Sequence, residues 1–325
     1  CKKSCPVKAI SMDENDIATI DPKKCINCGA CVVGCPFGAI SDVSMMTNVI
    51  DALLDPKREV VALIAPSIEG QFGTATLPQI KAAVRRLGFD DVYEVALGAD
   101  MVAYAEAHEL AEKGFLTSSC CPAFVSYIKG QFPDLAEHIS HNLSPAATIA
   151  KYIKEHDEGA KVIFIGPCTA KKMEFQKDEV RPYIDCVLTF EELQALFDSR
   201  DLEITEMAED VLDNASYFGR IFARSGGLSD AVAEALKEQN ITDFELKGVS
   251  CDGIEACKIA LMKARKKIGD TNFIEGMACV GGCIGGAGCL THGDKNKAEV
   301  DKYGKEAFEK TISSSISQLG KLNKK

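Results

Sequence analysis

Residues 59–66 read E-V-V-A-L-I-A-P, a short run of β-branched and aliphatic residues that ends at a proline. Such a run is typical of a strand buried in a parallel sheet. Similar runs alternate with helical patterns along the chain, which predicts an α/β fold with parallel sheets flanked by helices. The predicted strands cover residues 59–65, 92–97, 115–118, 161–166, 185–190, 246–250 and 272–278, and the predicted helices cover residues 78–88, 101–113, 144–156 and 228–239.

Cysteines follow three of the predicted strands. They are Cys120 and Cys121 after the third strand, Cys168 after the fourth, and Cys279 and Cys283 after the last. Because ligands sit beyond the carboxyl ends of parallel strands, thiols at three strand ends predict one shared site. An iron–sulfur cluster takes four thiolates, which Cys121, Cys168, Cys279 and Cys283 would supply. The alternative, ordinary buried core thiols, suits a single cysteine better than three strand ends.

The first forty residues contain an internal repeat, C-K-K-S-C-P-V-K-A-I at 1–10 and C-V-V-G-C-P-F-G-A-I at 31–40. Two further cysteines precede the second copy and complete C-x2-C-x2-C-x3-C-P, the spacing of bacterial ferredoxins. One complete 4Fe–4S site is therefore predicted at Cys5, Cys25, Cys28 and Cys31. Half of a second site is predicted at Cys1 and Cys35, with its other ligands expected upstream of the first residue.

Composition narrows the class of protein. The chain has 325 residues, 15 of them cysteine, and a formal net charge of −11. The acidic balance argues against nucleic acid or an anionic membrane as partner, and no apolar run approaches the ~20 residues that span a bilayer. Grouped cysteines without an export signal predict metal binding in a reducing, cytoplasmic setting. The predicted domains are an N-terminally truncated two-cluster ferredoxin domain (1–40), a linker helix (41–58) and a large domain (59–325) that ends in a helix at 307–319.

Three stretches resemble the signature motifs of FeFe hydrogenases: T-S-S-C-C-P at 117–122, P-C-T-A-K-K-M-E at 167–174 and E-G-M-A-C-V-G-G-C at 275–283. The resemblance runs from about residue 59 to at least 290, and a ferredoxin segment is a usual accessory of this family. It implies a two-lobed catalytic domain with the cofactor between the lobes. The implied activity is reversible H2 oxidation and proton reduction, with electrons exchanged with ferredoxin or a similar carrier through 4Fe–4S clusters.

The implied cofactor is the H-cluster, a 4Fe–4S cubane joined to a two-iron centre that carries CO, cyanide and a dithiolate. Cys283 would bridge the two parts, and maturation proteins would insert the two-iron centre. The resemblance also implies roles for residues that are not ligands. Proton transfer would begin at Cys120 and continue through Glu106, Glu109 and Ser140; Lys171 would donate to cyanide; and Pro66, Pro167, Glu174 and Met277 would surround the cofactor.

Simpler readings compete for several of these residues. Lys171, next to Lys172, could be a surface lysine, the two glutamates could lie on a solvated helix face, and Met277 could be a core residue. His108 and His141 are expected at the surface. The remaining cysteines are expected to be buried or free thiols: Cys186, Cys251, Cys257 and Cys289.

Four positions depart from the commonest form of the family. Ala123, Val280, Gly166 and Ala146 stand where catalytic members often carry Gly, Pro, Met and Gln. Every cluster ligand and relay position is retained, which suggests a divergent subgroup with an altered pocket. Two other functions remain open. One is a hydrogen or redox sensor with slow turnover, and the other is a non-catalytic iron–sulfur assembly protein, for which a proton relay would have no use.

Overall fold

The computed structural model describes residues 2–322. Cys1, one of the two predicted ligands of the second cluster site, lies outside the described residues. The N-terminal segment contains an antiparallel hairpin and two helices: β1 (Ile10–Met12), β2 (Ala18–Ile20), α1 (Ala30–Val33) and α2 (Met46–Leu54). Helix α2 is shorter than the predicted linker helix 41–58. It ends before Pro56, which disfavours helical backbone in the residue that precedes it.

Two parallel sheets form the larger part of the molecule. Their strand orders are β4-β3-β6-β7 and β5-β9-β8. The strands are β3 (Val60–Ile64), β4 (Asp91–Glu94), β5 (Leu116–Thr117), β6 (Lys161–Ile165), β7 (Cys186–Leu188), β8 (Gly248–Asp252) and β9 (Phe273–Met277). Every residue of β3 and of β9 is buried, as expected for inner strands of sheets covered on both faces. The predicted α/β class with parallel sheets is confirmed.

Helices cover the two sheets and connect their strands. They are α3 (Leu77–Leu87), α4 (Val95–Lys113), α5 (Pro122–Gln131), α6 (Pro145–His156), α7 (Lys171–Glu174), α8 (Phe190–Asp198), α9 (Tyr217–Ile221), α10 (Gly227–Glu238), α11 (Ile254–Arg265), α12 (Lys295–Glu306) and α13 (Ile312–Leu322). The last helix, predicted at 307–319, begins later, at Ile312, and ends later, at Leu322. No helix in residues 2–322 is both long enough and apolar enough to cross a bilayer.

One predicted strand, 92–97, is wrong in its second half. The strand ends at Glu94, and helix α4 begins at Val95. The carboxylate of Glu94 is buried and accepts hydrogen bonds from Arg220 Nε (2.8 Å) and the backbone N–H of Asn214 (2.6 Å). These tertiary partners hold the strand end, and the apolar pattern of V-Y-E-V-A-L does not reveal them.

The carboxyl ends of the two sheets face one internal cavity. Residues that follow β3, β5, β6 and β9 all line it, including Pro66, Cys121, Cys168 and Cys279. The cavity therefore lies where parallel strands place ligands, between the two halves of the large domain.

Candidate metal centre

Four thiols converge on the cavity, whose volume is about 90 Å³. Cys121 precedes α5, Cys168 follows β6, Cys279 follows β9, and Cys283 begins a 3-10 turn (Cys283–Gly285). Their charges interact with one another, since Cys168 and Cys121 both raise the pKa of Cys279 and that of Cys283, after burial as the larger cause. The structure thus brings together the four cysteines that the sequence predicted as one ligand set.

The arrangement of these thiols suits a cluster better than a single ion. Within residues 2–322, no three Cys, His, Asp or Glu side chains converge closely enough to hold one metal ion. A cubane of four irons separates its four cysteine ligands further than a single ion does. Burial raises the pKa of Cys168 to about 12, so a bound cation is needed to hold it as thiolate. The donor set therefore fits an iron–sulfur cluster.

Gly282 lets the loop between Cys279 and Cys283 pack tightly. Its φ is +94°, and a Cβ there would lie 2.8 Å from the nitrogen of Ser225 and 2.9 Å from the oxygen of Ala223. Any other residue would push Cys283 away from the cavity, because both obstacles are backbone atoms.

Polar hydrogen-bond donors stand in the wall of this cavity. Lys171 is 8% exposed, and its Nζ lies 2.5 Å from Oε2 of Glu174, which also accepts from Ser144 Oγ at 3.1 Å. Burial lowers the pKa of Lys171, but the Glu174 carboxylate outweighs it and the net pKa is raised. A charged ammonium is thereby fixed at the cavity, and the alternative of a surface lysine is wrong.

Ser67 is a second donor, which the sequence analysis missed. Its hydroxyl is fully buried at the cavity wall and has no hydrogen-bond partner among the described residues. A buried hydroxyl without a partner costs free energy, so it suits a polar ligand in the cavity. Its position after Pro66, at the end of a predicted strand, was the available signal. Together with Lys171 it fits a group that carries hydrogen-bond acceptors such as cyanide.

Apolar residues complete the wall. Pro66, Pro167 and Met277 all line the cavity, and Met277 is 2% exposed. Phe164, another residue the sequence analysis missed, lines it as well. A Cβ on Gly166 would lie 2.4 Å from Cζ of Phe164, so the ring of Phe164 occupies the space beside Gly166.

Cys120 also lines the cavity, and a buried carboxyl group lies next to it. Burial, and then the charge of Glu106, raise the pKa of Cys120 well above its ordinary value. Glu106 is 1% exposed, and its two carboxyl oxygens have no hydrogen-bond partner among the described residues. Burial raises its pKa to about 8, an increase that the nearby hydroxyl of Ser140 moderates. A solvated helix face is therefore the wrong description of Glu106.

Ser140 connects this carboxyl to the surface. Its hydroxyl donates to Oε2 of Glu109 at 3.1 Å. Glu109 also accepts from Lys113 Nζ at 2.7 Å and from the backbone N–H of His141 at 3.1 Å. The side chain of His141 is 75% exposed, as predicted, and its Nδ1 lies 3.1 Å from the Glu109 carboxylate. The spatial order is Cys120, Glu106, Ser140, Glu109, which places Ser140 between the two glutamates. The sequence analysis missed Lys113, although its position four residues after Glu109 on one helix was a signal.

A second group of cysteines lies in the N-terminal segment. Cys5, Cys25, Cys28 and Cys31 line a cavity of about 380 Å³. Backbone N–H groups donate to two of their sulfurs, from Ala9 to Cys5 (3.2 Å) and from Asn27 to Cys25 (3.4 Å). Such donors accompany cluster-bound thiolates, so this set fits a 4Fe–4S cluster. Cys35 does not line this cavity; backbone N–H groups of Phe37, Ala39 and Ile40 lower its pKa.

The two groups of thiols lie close together. The hydroxyl of Thr169, next to Cys168, donates to the carbonyl oxygen of Asn27 at 3.0 Å. Gly29 packs so closely that a Cβ would lie 2.3 Å from that of Ala287. Cys28 contributes to the raised pKa of Cys279, after burial and three other cysteines. The N-terminal thiol group therefore abuts the loops of the central one.

Comparison with known proteins agrees with this picture. Residues 58–287 match the family model of the iron-only hydrogenase large subunit, C-terminal domain, and residues 18–41 match a 4Fe-4S binding domain. The NADP-reducing hydrogenase subunit HndD of Solidesulfovibrio fructosivorans is 28% identical over 83% of this chain and 57% of its own length. Iron hydrogenase 1 of Clostridium pasteurianum is 28% identical over 82% of this chain and 56% of its own length. The chain thus spans little more than half of these two relatives.

A relative with a different function is also similar. The cytosolic Fe-S cluster assembly factor NAR1 of Eremothecium gossypii is 29% identical over 48% of this chain and 37% of its own length. Among solved structures, an [FeFe]-hydrogenase from Chlamydomonas reinhardtii superposes with a TM-score of 0.68 at 20% identity, covering 86% of this chain and 94% of that chain. That likeness shows a shared fold. With the family model matching well over half of its length, the chain belongs to the iron-only hydrogenase large-subunit family and is an iron–sulfur protein.

Proposed function

We propose that this protein is an FeFe hydrogenase that catalyses reversible H2 oxidation and proton reduction at an H-cluster. The observation that carries the proposal is the carboxyl group of Glu106, buried without a hydrogen-bond partner between Cys120 and Ser140. Burying an unpartnered carboxyl costs free energy, and in a protein with a purely structural role nothing would offset that cost. It suits a group that accepts and releases protons.

The cofactor would be held by the residues that line the central cavity. Cys121, Cys168, Cys279 and Cys283 would hold the H-cluster. When bound, it would supply the metal and the amine base that heterolytic cleavage of H2 requires. The donors Lys171 and Ser67 would orient its cyanide ligands, with Glu174 holding Lys171 in place.

Protons would leave through the chain of side chains behind Cys120. Cys120 holds a proton on Sγ at the cavity wall and passes it to Glu106. Because the pKa of Glu106 is about 8, this carboxyl is protonated near neutrality and gives up one proton as it takes another. Ser140 relays to Glu109 along their hydrogen bond. Glu109 exchanges with solvent beside Lys113 and His141.

Electrons would travel through residues 1–40 to residues 59–325, with 41–58 as the connection. The cluster at Cys5, Cys25, Cys28 and Cys31 would be the last before the cubane, since Cys28 lies near Cys279. A second cluster would use Cys1 and Cys35. The external partner would be ferredoxin or a similar carrier, in the cytoplasm, and maturation proteins would insert the two-iron centre.

Infrared spectroscopy of anaerobically matured protein, with H2 evolution measured on the same sample, tests the proposal. CO and cyanide bands with rapid turnover are the expected result. Cys120→Ala should keep the bands and lose most of the turnover, whereas Cys186→Ala, which removes a buried thiol of β7, should keep both. Bands with very slow turnover would favour a sensor. Iron and sulfide without CO or cyanide bands would overturn the proposal in favour of an assembly role like that of NAR1.

A further inference from the structure

Two cysteines that have no part in the proposed site lie side by side, Cys251 in β8 and Cys257 in α11. The sulfur of Cys257 is 3.6 Å from the carbonyl oxygen of Cys251 and 3.5 Å from that of Met277. The neighbouring Cys251 thiol is the first cause that raises the pKa of Cys257, ahead of burial. The sulfur of Cys257 therefore contacts Cys251 itself, so the two cysteines are neighbours in space, as a disulfide requires.

Only one of the two thiols can be reached from solvent. A cavity of about 770 Å³, separate from the central one, is lined by Cys251 and by residues of α11. Cys251 is 6% exposed, whereas Cys257 is fully buried behind it. A reagent that enters from solvent therefore meets Cys251 first. This is the arrangement of an attacking thiol and a resolving thiol.

The positively charged side chains of this cavity favour an anionic reagent. Lys263, Arg265 and Lys267 line it. Arg265 is paired with Asp134 at 3.8 Å, while Lys263 and Lys267 make no ion pair with any described residue. Two unneutralised ammonium groups favour an anionic molecule.

We propose that Cys251 and Cys257 form a redox-active dithiol that reacts with a small anionic disulfide by thiol–disulfide exchange. The Cys251 thiolate, its proton lost to solvent, attacks one sulfur of the small disulfide, forms a mixed disulfide and expels one thiolate. Cys257 loses its proton and attacks Sγ of Cys251, which expels the second thiolate and closes the internal disulfide. The protein dithiol loses two electrons, and the small disulfide is reduced to two thiols that take up the two protons.

The position of the pair connects it to the cluster loop. The thiols donate to the carbonyl oxygens of Glu275 (Cys251, 3.2 Å) and Met277 (Cys257, 3.5 Å), both in β9. Met277 lines the central cavity, and Cys279 follows two residues later. Disulfide formation removes both S–H donors from this strand, so the redox state of the pair acts directly on the backbone that presents Cys279.

The test uses cluster-loaded protein under anaerobic conditions, with oxidised glutathione as the anionic disulfide. After acid quenching and alkylation of free thiols, peptide mapping should find a Cys251–Cys257 disulfide that dithiothreitol reverses. Cys257→Ser should stop at a glutathione adduct on Cys251. Cys186→Ser, which removes a thiol of similar burial at 7% exposure, should leave the Cys251–Cys257 product unchanged. Lys263→Gln with Lys267→Gln should slow the reaction several-fold with oxidised glutathione but not with neutral hydroxyethyl disulfide.

Wild-type protein alone decides whether the dithiol reacts, whether or not a variant folds. An unmodified Cys251, or an adduct on Cys251 that never yields the internal disulfide, overturns the proposal. Equal slowing with both disulfides in the lysine variant overturns the choice of an anionic reagent. None of these readouts requires hydrogenase activity, so the dithiol and the proposed function fail independently.

Discussion

The hydroxyl of Ser140 donates a 3.1 Å hydrogen bond to Oε2 of Glu109, and the same hydroxyl lies beside the buried carboxyl of Glu106. The two glutamates are three residues apart on one face of α4, and Ser140 comes from the loop that precedes α6. One side chain from a distant loop thus joins a buried acid to an acid whose side chain is 13% exposed.

Replacing Ser140 by Ala is expected to slow H2 evolution about a hundredfold, because a positioned proton-transfer group contributes on that scale. Isotope exchange between D2 and water should fall as well, since it uses the same protons but no external electrons. Ser140→Thr keeps a hydroxyl and should recover much of the rate. Ser199→Ala is the matched control, because Ser199 donates to the carbonyl of Leu196 (2.8 Å) at the end of α8 and touches none of the relay residues. Equal losses in the Ser199 and Ser140 variants would contradict the assignment.

Glu106 should make the stability of the protein pH-dependent. Burial raises its pKa from 4.5 to about 8, so the folded state retains a proton that the unfolded state has lost between these values. The free energy of unfolding contributed by this group therefore decreases as pH rises from about 4.5 to about 8 and is constant above that. Glu106→Gln abolishes the titration.

The difference in the free energy of unfolding, wild type minus Glu106→Gln, should then decrease by a few kcal/mol as the pH rises from about 4.5 to about 8. Denaturant unfolding of both proteins at several pH values measures the difference. Other raised acids, such as Asp100 with a pKa of about 7, are present in both proteins and cancel. Glu112→Gln, at a side chain that is 68% exposed, is the control and should show no such trend. A pH-independent difference for Glu106→Gln would mean that Glu106 stays ionised in the folded protein.

Lys172 should contribute strongly to stability. Its Nζ lies 2.6 Å from Asp42 and 2.8 Å from Glu192, and it donates to the carbonyl oxygen of Val43 at 3.0 Å. Lys172→Met leaves the carboxylate of Glu192 buried without its cation and should cost about 3 kcal/mol of unfolding free energy. It should also expose residues 34–45 to limited proteolysis. Lys151→Met removes an exposed pair with Glu155 and should cost less than about 0.5 kcal/mol. Similar costs for the two variants would show that Lys172 does not clamp this segment.

Short-range patterns in the sequence predicted the parallel strands and the four thiols at their carboxyl ends. Burial on both faces of a strand is visible as a continuous apolar run, and Cys121, Cys168 and Cys279 each follow such a run directly. The resemblance to hydrogenase motifs then picked out Lys171, whose burial no local pattern reveals. These features could be predicted because each is contained in fewer than about ten consecutive residues, the length of a strand and its loop.

Features that depend on which distant segments meet could not be predicted. Ser140 stands between Glu106 and Glu109 only because its loop packs against α4. Phe164 fills the space beside Gly166 from two residues away on the same strand, a contact that strand periodicity alone does not imply. The burial of Lys172 could not be predicted, because its partners Asp42 and Glu192 lie 130 and 20 positions away. Tertiary packing decides all of these contacts.

The hydrogen bond from Thr169 to the carbonyl oxygen of Asn27, 3.0 Å long, should set the coupling between the two cluster sites. Thr169→Val keeps the shape of the side chain but removes the donor, which should cost about 1 kcal/mol of stability. If the bond holds the loop of Cys28 against that of Cys168, H2 evolution driven by reduced ferredoxin should slow several-fold. Isotope exchange between D2 and water, which needs no electron from the N-terminal cluster, should keep its rate. Thr148→Val removes a hydroxyl bonded within one segment, to Leu143 at 3.4 Å, and should change neither rate. If Thr169→Val slows both reactions equally, Thr169 supports the central site itself. The exchange between D2 and water requires no external electrons, so only damage to the central site would slow it.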